Sequence, residues 1–230
     1  MPVRLASNKR AKQTKQRNEQ LPKDARLAQI YQTAARIIHE QGYDATSLNH
    51  IAKEAGLTKA GLYHYISSKQ ELLFEIMNYG MDLVKSDVLA PSLAVTDPKE
   101  RLRMIVKTYA NLIMEERQPI TIMINEASGL TSVRRRKIRA RRQIFYHFVR
   151  DTIQQIKDEG DVEVLDVGVT TLSFVGVLVW LAYWHHPDGR LTKEQIIDQI
   201  LTLTVDRMVG LSLSANHDSN NQQAKSKESR

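Results

Sequence analysis

Thr46–Tyr65, TSLNHIAKEAGLTKAGLYHY, reads as two short helices joined by a tight turn. In the first, Leu48, Ile51 and Ala55 share one apolar face, and Ala52 is small where a second helix would cross closely. Gly56 follows, a residue that turns left-handed without a Cβ penalty and so ends a helix. Leu57 plugs the turn, and Thr58 carries the side-chain oxygen that caps a new helix. The second helix, Lys59 to Tyr65, buries Leu62 and leaves Lys59, Ala60, Gly61, Tyr63 and His64 outward. An exposed surface of small residues, one cation and two hydrogen-bonding rings suits close approach to a duplex groove.

Outward from that stretch, helical patterns succeed one another with no convincing strand. Asp24 to Gln41 aligns Leu27, Ile30, Tyr31, Ala34, Ile37 and Ile38, and Gly42 ends the run. Ser67 and Ser68, each followed three residues later by Gln70 or Glu71, open a helix predicted to run toward Lys85. A break is expected from Leu89 to Pro98, with two prolines and an Asp97 cap. Further helices are predicted over Pro98 to Arg117, Pro119 to Gly129, Ser132 to Glu159 and Val167 to Trp184. After a turn at HHPDGR, one more helix is opened by the Thr192–Gln195 capping box. Ile196, Ile197, Ile200, Leu201, Leu203, Val205, Met208 and Val209 cover more than one face of it, so it needs two partners. Val167 to Trp184 has no charged residue over 18 positions, the lower edge of membrane-spanning length. Its Gly, Thr and Ser content favours a buried helix.

The chain has 230 residues, a formal charge of +7 and no cysteine. The length allows a small domain beside a larger one. Without cysteine there is neither a disulfide framework nor a thiolate metal site, in keeping with a reducing cytosol. The N-terminus lacks the apolar run of a secretory signal. Residues 1–23 carry seven Lys and Arg against Glu19 alone and lack periodicity, which predicts a disordered basic arm. Ahead of a DNA-reading unit such an arm strengthens binding through counterion release, or serves only as a solubilising tail. Residues 212–230 are expected to be a disordered tail.

The helix-turn-helix spacing, and the wider GYDATSLNHIAKEAGLTKAGLYHYISSKQELL from Gly42 to Leu73, resemble the N-terminal domain of the TetR family of transcriptional regulators. The resemblance implies an all-α fold. A three-helix DNA-binding domain, 24–68, would precede a helical effector-binding and dimerisation domain, 69–211. It implies a cytoplasmic homodimer on a palindromic double-stranded DNA operator, with recognition helices roughly 34–36 Å apart. It also implies repression relieved by a small-molecule effector, and no cofactor. Matched position by position, the family's DNA contacts fall on Thr46, Ser47, Thr58, Lys59, Ala60, Gly61, Tyr63, His64 and Lys69. Of these, Thr46, Thr58, Tyr63, His64 and Lys69 suit phosphates, and Lys59 suits a guanine edge.

Family members carry an inducer pocket in the second domain, and Met104, Tyr109, Met123, Phe145, Phe148, Phe174, Trp180 and Trp184 are candidates to line it. VRRRKIRARR, Val133 to Arg142, is either a solvated face or the mouth of a site for a polyanionic ligand, with Arg141 among the contacts. A phosphate-rich head with an apolar tail describes an acyl-CoA. The WHHPDGRL turn is also similar to family members associated with lipid or sterol degradation. A generic hydrophobic or aromatic compound is the competing effector. Catalysis finds little support, because no Gly-rich phosphate loop, HExxH, GxSxG or cysteine nucleophile is present. His185, His186 and Asp188 form the one cluster considered for a metal, and adjacent histidines at a helix end diverge. A membrane-surface role is disfavoured because the basic arm lacks an apolar face.

Overall fold

The computed structural model describes residues 22–160 and 166–208. The basic arm up to residue 21, the tail beyond 211, and Val209 lie outside the described residues. Among those described, every regular element is helical.

Helix α1 is Lys23–Gln41, α2 is Leu48–Glu54, α3 is Lys59–Tyr63 and α4 is Lys69–Leu83. A π-helical stretch, Val84–Leu89, continues α4 into α5, Ala90–Leu93. There follow α6 (Pro98–Glu115), α7 (Arg117–Asn125), a 3-10 turn (Glu126–Gly129) and α8 (Ser132–Asp158). The last helices are α9 (Val167–Trp184) and α10 (Lys193–Leu201), the latter extended by a second π-helical stretch, Thr202–Met208.

The break expected from Leu89 to Pro98 is shorter than predicted, since the helical path persists to Leu93. Pro91 falls in the first turn of α5, where a missing amide donor costs little. Asp97 does cap α6, accepting the Glu100 amide at 2.7 Å. The capping box at Thr192 is complete in both directions, with Gln195 N to Thr192 Oγ1 at 3.3 Å and Thr192 N to Gln195 Oε1 at 2.9 Å. At the start of α4, Ser68 Oγ accepts the Glu71 amide at 3.1 Å, while the Glu71 carboxylate reaches one residue further back, to the Ser67 amide and hydroxyl.

The chain forms two compact units of packing. The first ends at Met81 and takes in Glu116–Arg139; the second comprises Asp82–Glu115 and the described chain from Ala140 onward. In the first, α1 packs on α2 and α7, and α2 packs on α3. Ile30, Ala34, Ile37, Ile38, Ile51, Ala52, Leu62, Leu72, Leu73, Ile76 and Met77 form its core. In the second, α6 packs on the first π-helical stretch, α5, α9 and α10. All six residues predicted for the core side of α6, from Leu102 to Ile113, are buried. Arg103 pairs with Asp206, and Lys193 with Glu115 at 2.7 Å, both at the surface.

Helix α9 is covered on one face only within the single chain. It is long and apolar enough to cross a membrane by length and composition, yet only 33% of it is buried within the chain. Thr170, Thr171, Phe174, Leu178, Leu181 and Ala182 face inward. Val169, Leu172, Trp180, Tyr183 and Trp184 lie outward, joined by Leu203 from the segment after α10. A helix with few charged residues can therefore be two-faced without showing an amphipathic pattern, because both faces are apolar.

Candidate nucleic-acid interface

The α2–α3 pair is held by local signals in the order the sequence presents them. Ser47 Oγ accepts the His50 amide at 3.1 Å and starts α2. Gly56 takes φ +66°, the left-handed conformation, and lets the Leu57 amide return to the Ala52 carbonyl at 2.8 Å. Thr58 then starts α3, its Oγ1 accepting the Gly61 amide at 3.0 Å. Leu62 is buried on the inner side of α3, while Thr58, Lys59, Ala60, Tyr63 and His64 are exposed and Gly61 is half-buried. Tyr63 is 45% exposed, so it is no core aromatic. Lys59 Nζ lies 6.0 Å from the Tyr63 ring centroid, and the His64 ring meets Tyr65 edge-on at 5.3 Å. The resulting face is small at Ala60 and Gly61 and carries donors on either side.

Two expected phosphate contacts are placed differently from the rest. Thr46 is only 3% exposed, and its hydroxyl donates to the Gly42 carbonyl at 2.8 Å. The hydroxyl closes the turn between α1 and α2. Lys69 is half-buried, donates to the Asp44 carbonyl at 3.2 Å and has its ammonium 4.2 Å from the Tyr43 ring centroid. It is thus held beside the loop that leads into α2.

The pair is tied to α1 by a residue that periodicity overlooks. Arg26 is 3% exposed; its guanidinium donates to the Ala55 carbonyl at 3.1 Å and to Gln29 Oε1 at 2.6 Å. An arginine amid charged neighbours near a helix start reads as solvated in sequence. Its burial follows from the end of α2 arriving over α1. At the surface Arg36 also joins α1 to α2, within 3.3 Å of both Glu40 and Glu54.

The basic run is less uniform than its sequence. In the first unit Arg134 lies over the Phe74 ring at 5.6 Å, and Arg135 donates to the Ser128 and Leu130 carbonyls. Arg136, Lys137 and Arg139 are exposed. In the second unit Arg141 pairs with Asp82, and Arg142 is exposed.

Of the expected effector contacts, Tyr109, Phe145 and Phe174 are each buried in the second unit and Met104 is half-buried. The Tyr109 and Phe145 rings stack at 5.1 Å. Burial pushes the Tyr109 hydroxyl up to about 12, with the Arg142 charge opposing the shift. Phe148 is half-buried, and Met123 is buried in the first unit. Trp180 and Trp184 are 62% and 44% exposed in the single chain. An open depression of about 380 Å³ on α10 is bounded by Asp198, Gln199, Thr202, Leu203 and Arg207, none of them an expected effector contact. His185 is buried and His186 exposed, so the two histidines diverge, and no metal-binding group occurs among the described residues.

Residues 30–76 match the family described as bacterial regulatory proteins, tetR family, and residues 95–208 match the tetracyclin repressor-like C-terminal domain. The crystal structure of AibR in complex with isovaleryl coenzyme A and operator DNA is similar at 38% identity and a TM-score of 0.74. The match covers 78% of this chain and 98% of that one. The transcriptional repressor KstR2 of Mycobacterium tuberculosis is 26% identical over 185 residues, 79% of this chain and 92% of its own length. The transcriptional activator FasR of Mycolicibacterium smegmatis is 32% identical over 102 residues, and the match spans about half of each protein, 44% of this chain and 47% of FasR.

Proposed function

The chain belongs to the TetR family of DNA-binding transcriptional regulators, and from that premise we propose that it is a repressor released from its operator by an acyl-CoA. Residues 24–68 read DNA, and 69–211 bind effector and dimerise. The contacts to DNA are Ser47, Thr58, Lys59, Ala60, Gly61, Tyr63, His64 and Lys69. Lys59 reads a base edge, and Tyr63, His64 and Lys69 hold phosphates. The observation that carries this reading is α3 itself, a short helix anchored inward by Leu62 with Thr58, Lys59, Ala60, Tyr63 and His64 exposed and Gly61 half-buried.

Dimerisation runs through α9 and the segment after α10. The outward Val169, Leu172, Trp180, Tyr183, Trp184 and Leu203 form an apolar surface of the kind that a second copy covers. A two-fold axis there makes the operator a palindrome.

The acyl-CoA reading is supported by AibR, whose complex contains isovaleryl coenzyme A, and by the buried aromatic pair Tyr109 and Phe145. The Tyr109–Phe145 stack also favours the second reading, an aromatic or other hydrophobic effector. Among the relatives KstR2 is a repressor and FasR an activator, and repression here is taken from KstR2, whose match spans 79% of this chain against 44% for FasR. The effector acts only through a difference in affinity between the DNA-competent and released states. Selection of bound duplexes from a random pool supplies the operator, and titration of acyl-CoAs with and without it tests the coupling. Operator must weaken the effector by the factor by which effector weakens operator. Equal acyl-CoA affinity in both titrations rejects release by that ligand.

A further inference from the structure

In the first unit the 3-10 turn Glu126–Gly129 rests on Tyr43, in the loop after α1. A Cβ added at Gly129 would lie 2.7 Å from Tyr43 Cε1, 2.8 Å from Tyr43 Cδ1 and 2.9 Å from Leu73 Cδ2. All three are far inside the optimal separation of carbon atoms, so the turn can press on the ring only where no side chain intervenes. One cation of the basic run holds the turn there. The Arg135 guanidinium donates to the Ser128 carbonyl at 3.2 Å and to the Leu130 carbonyl at 3.0 Å, bracketing Gly129. Arg134 lies over Phe74, next to Leu73. The clamped ring in turn carries the Lys69 ammonium at 4.2 Å, which also donates to the adjacent Asp44 carbonyl.

We infer that Gly129 is a positioning residue for DNA binding: its turn fixes the Tyr43 ring, and the ring presets Lys69 beside the loop into α2 for a phosphate. The inference rests on the proposed role of Lys69. A lysine side chain has much rotamer freedom to lose on binding, and a cation held over an aromatic ring has already lost it. The device also offers a route for control, because displacing Glu126–Gly129 frees Lys69 without touching α3.

The test uses the full chain and the selected palindromic duplex, titrated over a range of salt concentrations. Lys69→Gln removes one phosphate contact per subunit. The slope of log affinity against log salt then falls by about 1.8 for the dimer, and binding weakens about 30-fold near 0.15 M salt. Gly129→Ala reproduces most of both changes, and the double variant is no weaker than Lys69→Gln alone. Tyr43→Leu, which removes the ring and adds no bulk, gives the same loss and stands in if Gly129→Ala lowers the folded fraction by circular dichroism. An unchanged slope in Tyr43→Leu, in folded Gly129→Ala or in Lys69→Gln overturns the inference, as do additive effects in the double variant. In each of those cases wild-type selection of a palindrome leaves the proposed operator-binding function standing. A wild-type chain that binds duplexes without sequence preference overturns that proposed function itself.

Discussion

Replacing Arg26 with methionine removes two hydrogen bonds from a buried guanidinium and leaves the Ala55 carbonyl without its donor. Hydrogen bonds to a charged group contribute about 1.5–3 kcal/mol each. Methionine fills similar volume and relieves the desolvation cost of the ion, which offsets several kcal/mol of that loss. The net expectation is destabilisation of the first unit by about 2 kcal/mol, dominated by the orphaned carbonyl at the end of α2. Arg26→Lys rescues little, because one ammonium cannot span both acceptors in the manner of the planar fork. Both tryptophans, Trp180 and Trp184, lie in the second unit, so their fluorescence is a poor reporter of this change. Amide hydrogen exchange at fixed protomer concentration reads it directly, as faster opening over residues 22–63 with α6 and α10 unchanged. A loss below about 0.5 kcal/mol, or one spread equally over α6 and α10, refutes the argument that this buried ion joins α1 to the recognition pair.

Lys59→Gln should relax base preference at one position of each half-site, a loss of about 1–3 kcal/mol in discrimination, read by repeating the duplex selection. Trp180→Arg places a charge in the outward apolar stripe of α9 and is expected to shift the dimer toward monomer in sedimentation while far-ultraviolet dichroism is retained. The Glu71 carboxylate is held below its ordinary value of 4.5, first by the Ser67 hydroxyl and then by the Ser67 amide. The folded state binds that proton less readily than the unfolded chain, so its contribution is present above pH 4.5 and lost as the pH falls through the lower folded value. Glu71→Gln should flatten that acid limb of the stability profile. Tyr109 has the opposite sense, with its neutral form favoured by burial. Its contribution is complete below 10.0 and lost between 10.0 and about 12, at roughly 1.4 kcal/mol per pH unit, and Tyr109→Phe should abolish that slope in alkaline denaturation.

Local chemistry was legible wherever its partners lie within a few residues. The left-handed Gly56, the Thr58 and Asp97 caps and the Thr192–Gln195 box all close within one turn of helix, so residue type and spacing suffice to read them. The inward face of α6 was equally plain, because polar residues alternate with apolar ones at helical period. Where periodicity carries no contrast, as in the uniformly apolar α9, which side turns inward could not be read. Trp180 and Trp184 lie on its exposed side in the single chain.

By itself, then, the sequence determined the helical class, the order of the helices and the short element that meets DNA, because these depend on contacts between near neighbours. Only the tertiary structure decided that Arg26 is buried, that the Thr46 hydroxyl turns inward, and that Gly129 must be small to let a turn rest on Tyr43. Each of the three follows from where a distant segment arrives, or from which way a side chain rotates once it has. Arg26 and Ala55 are 29 residues apart in the chain, and Gly129 is further still from Tyr43. No periodicity encodes such an encounter, since it is set by the packing of one helix on another.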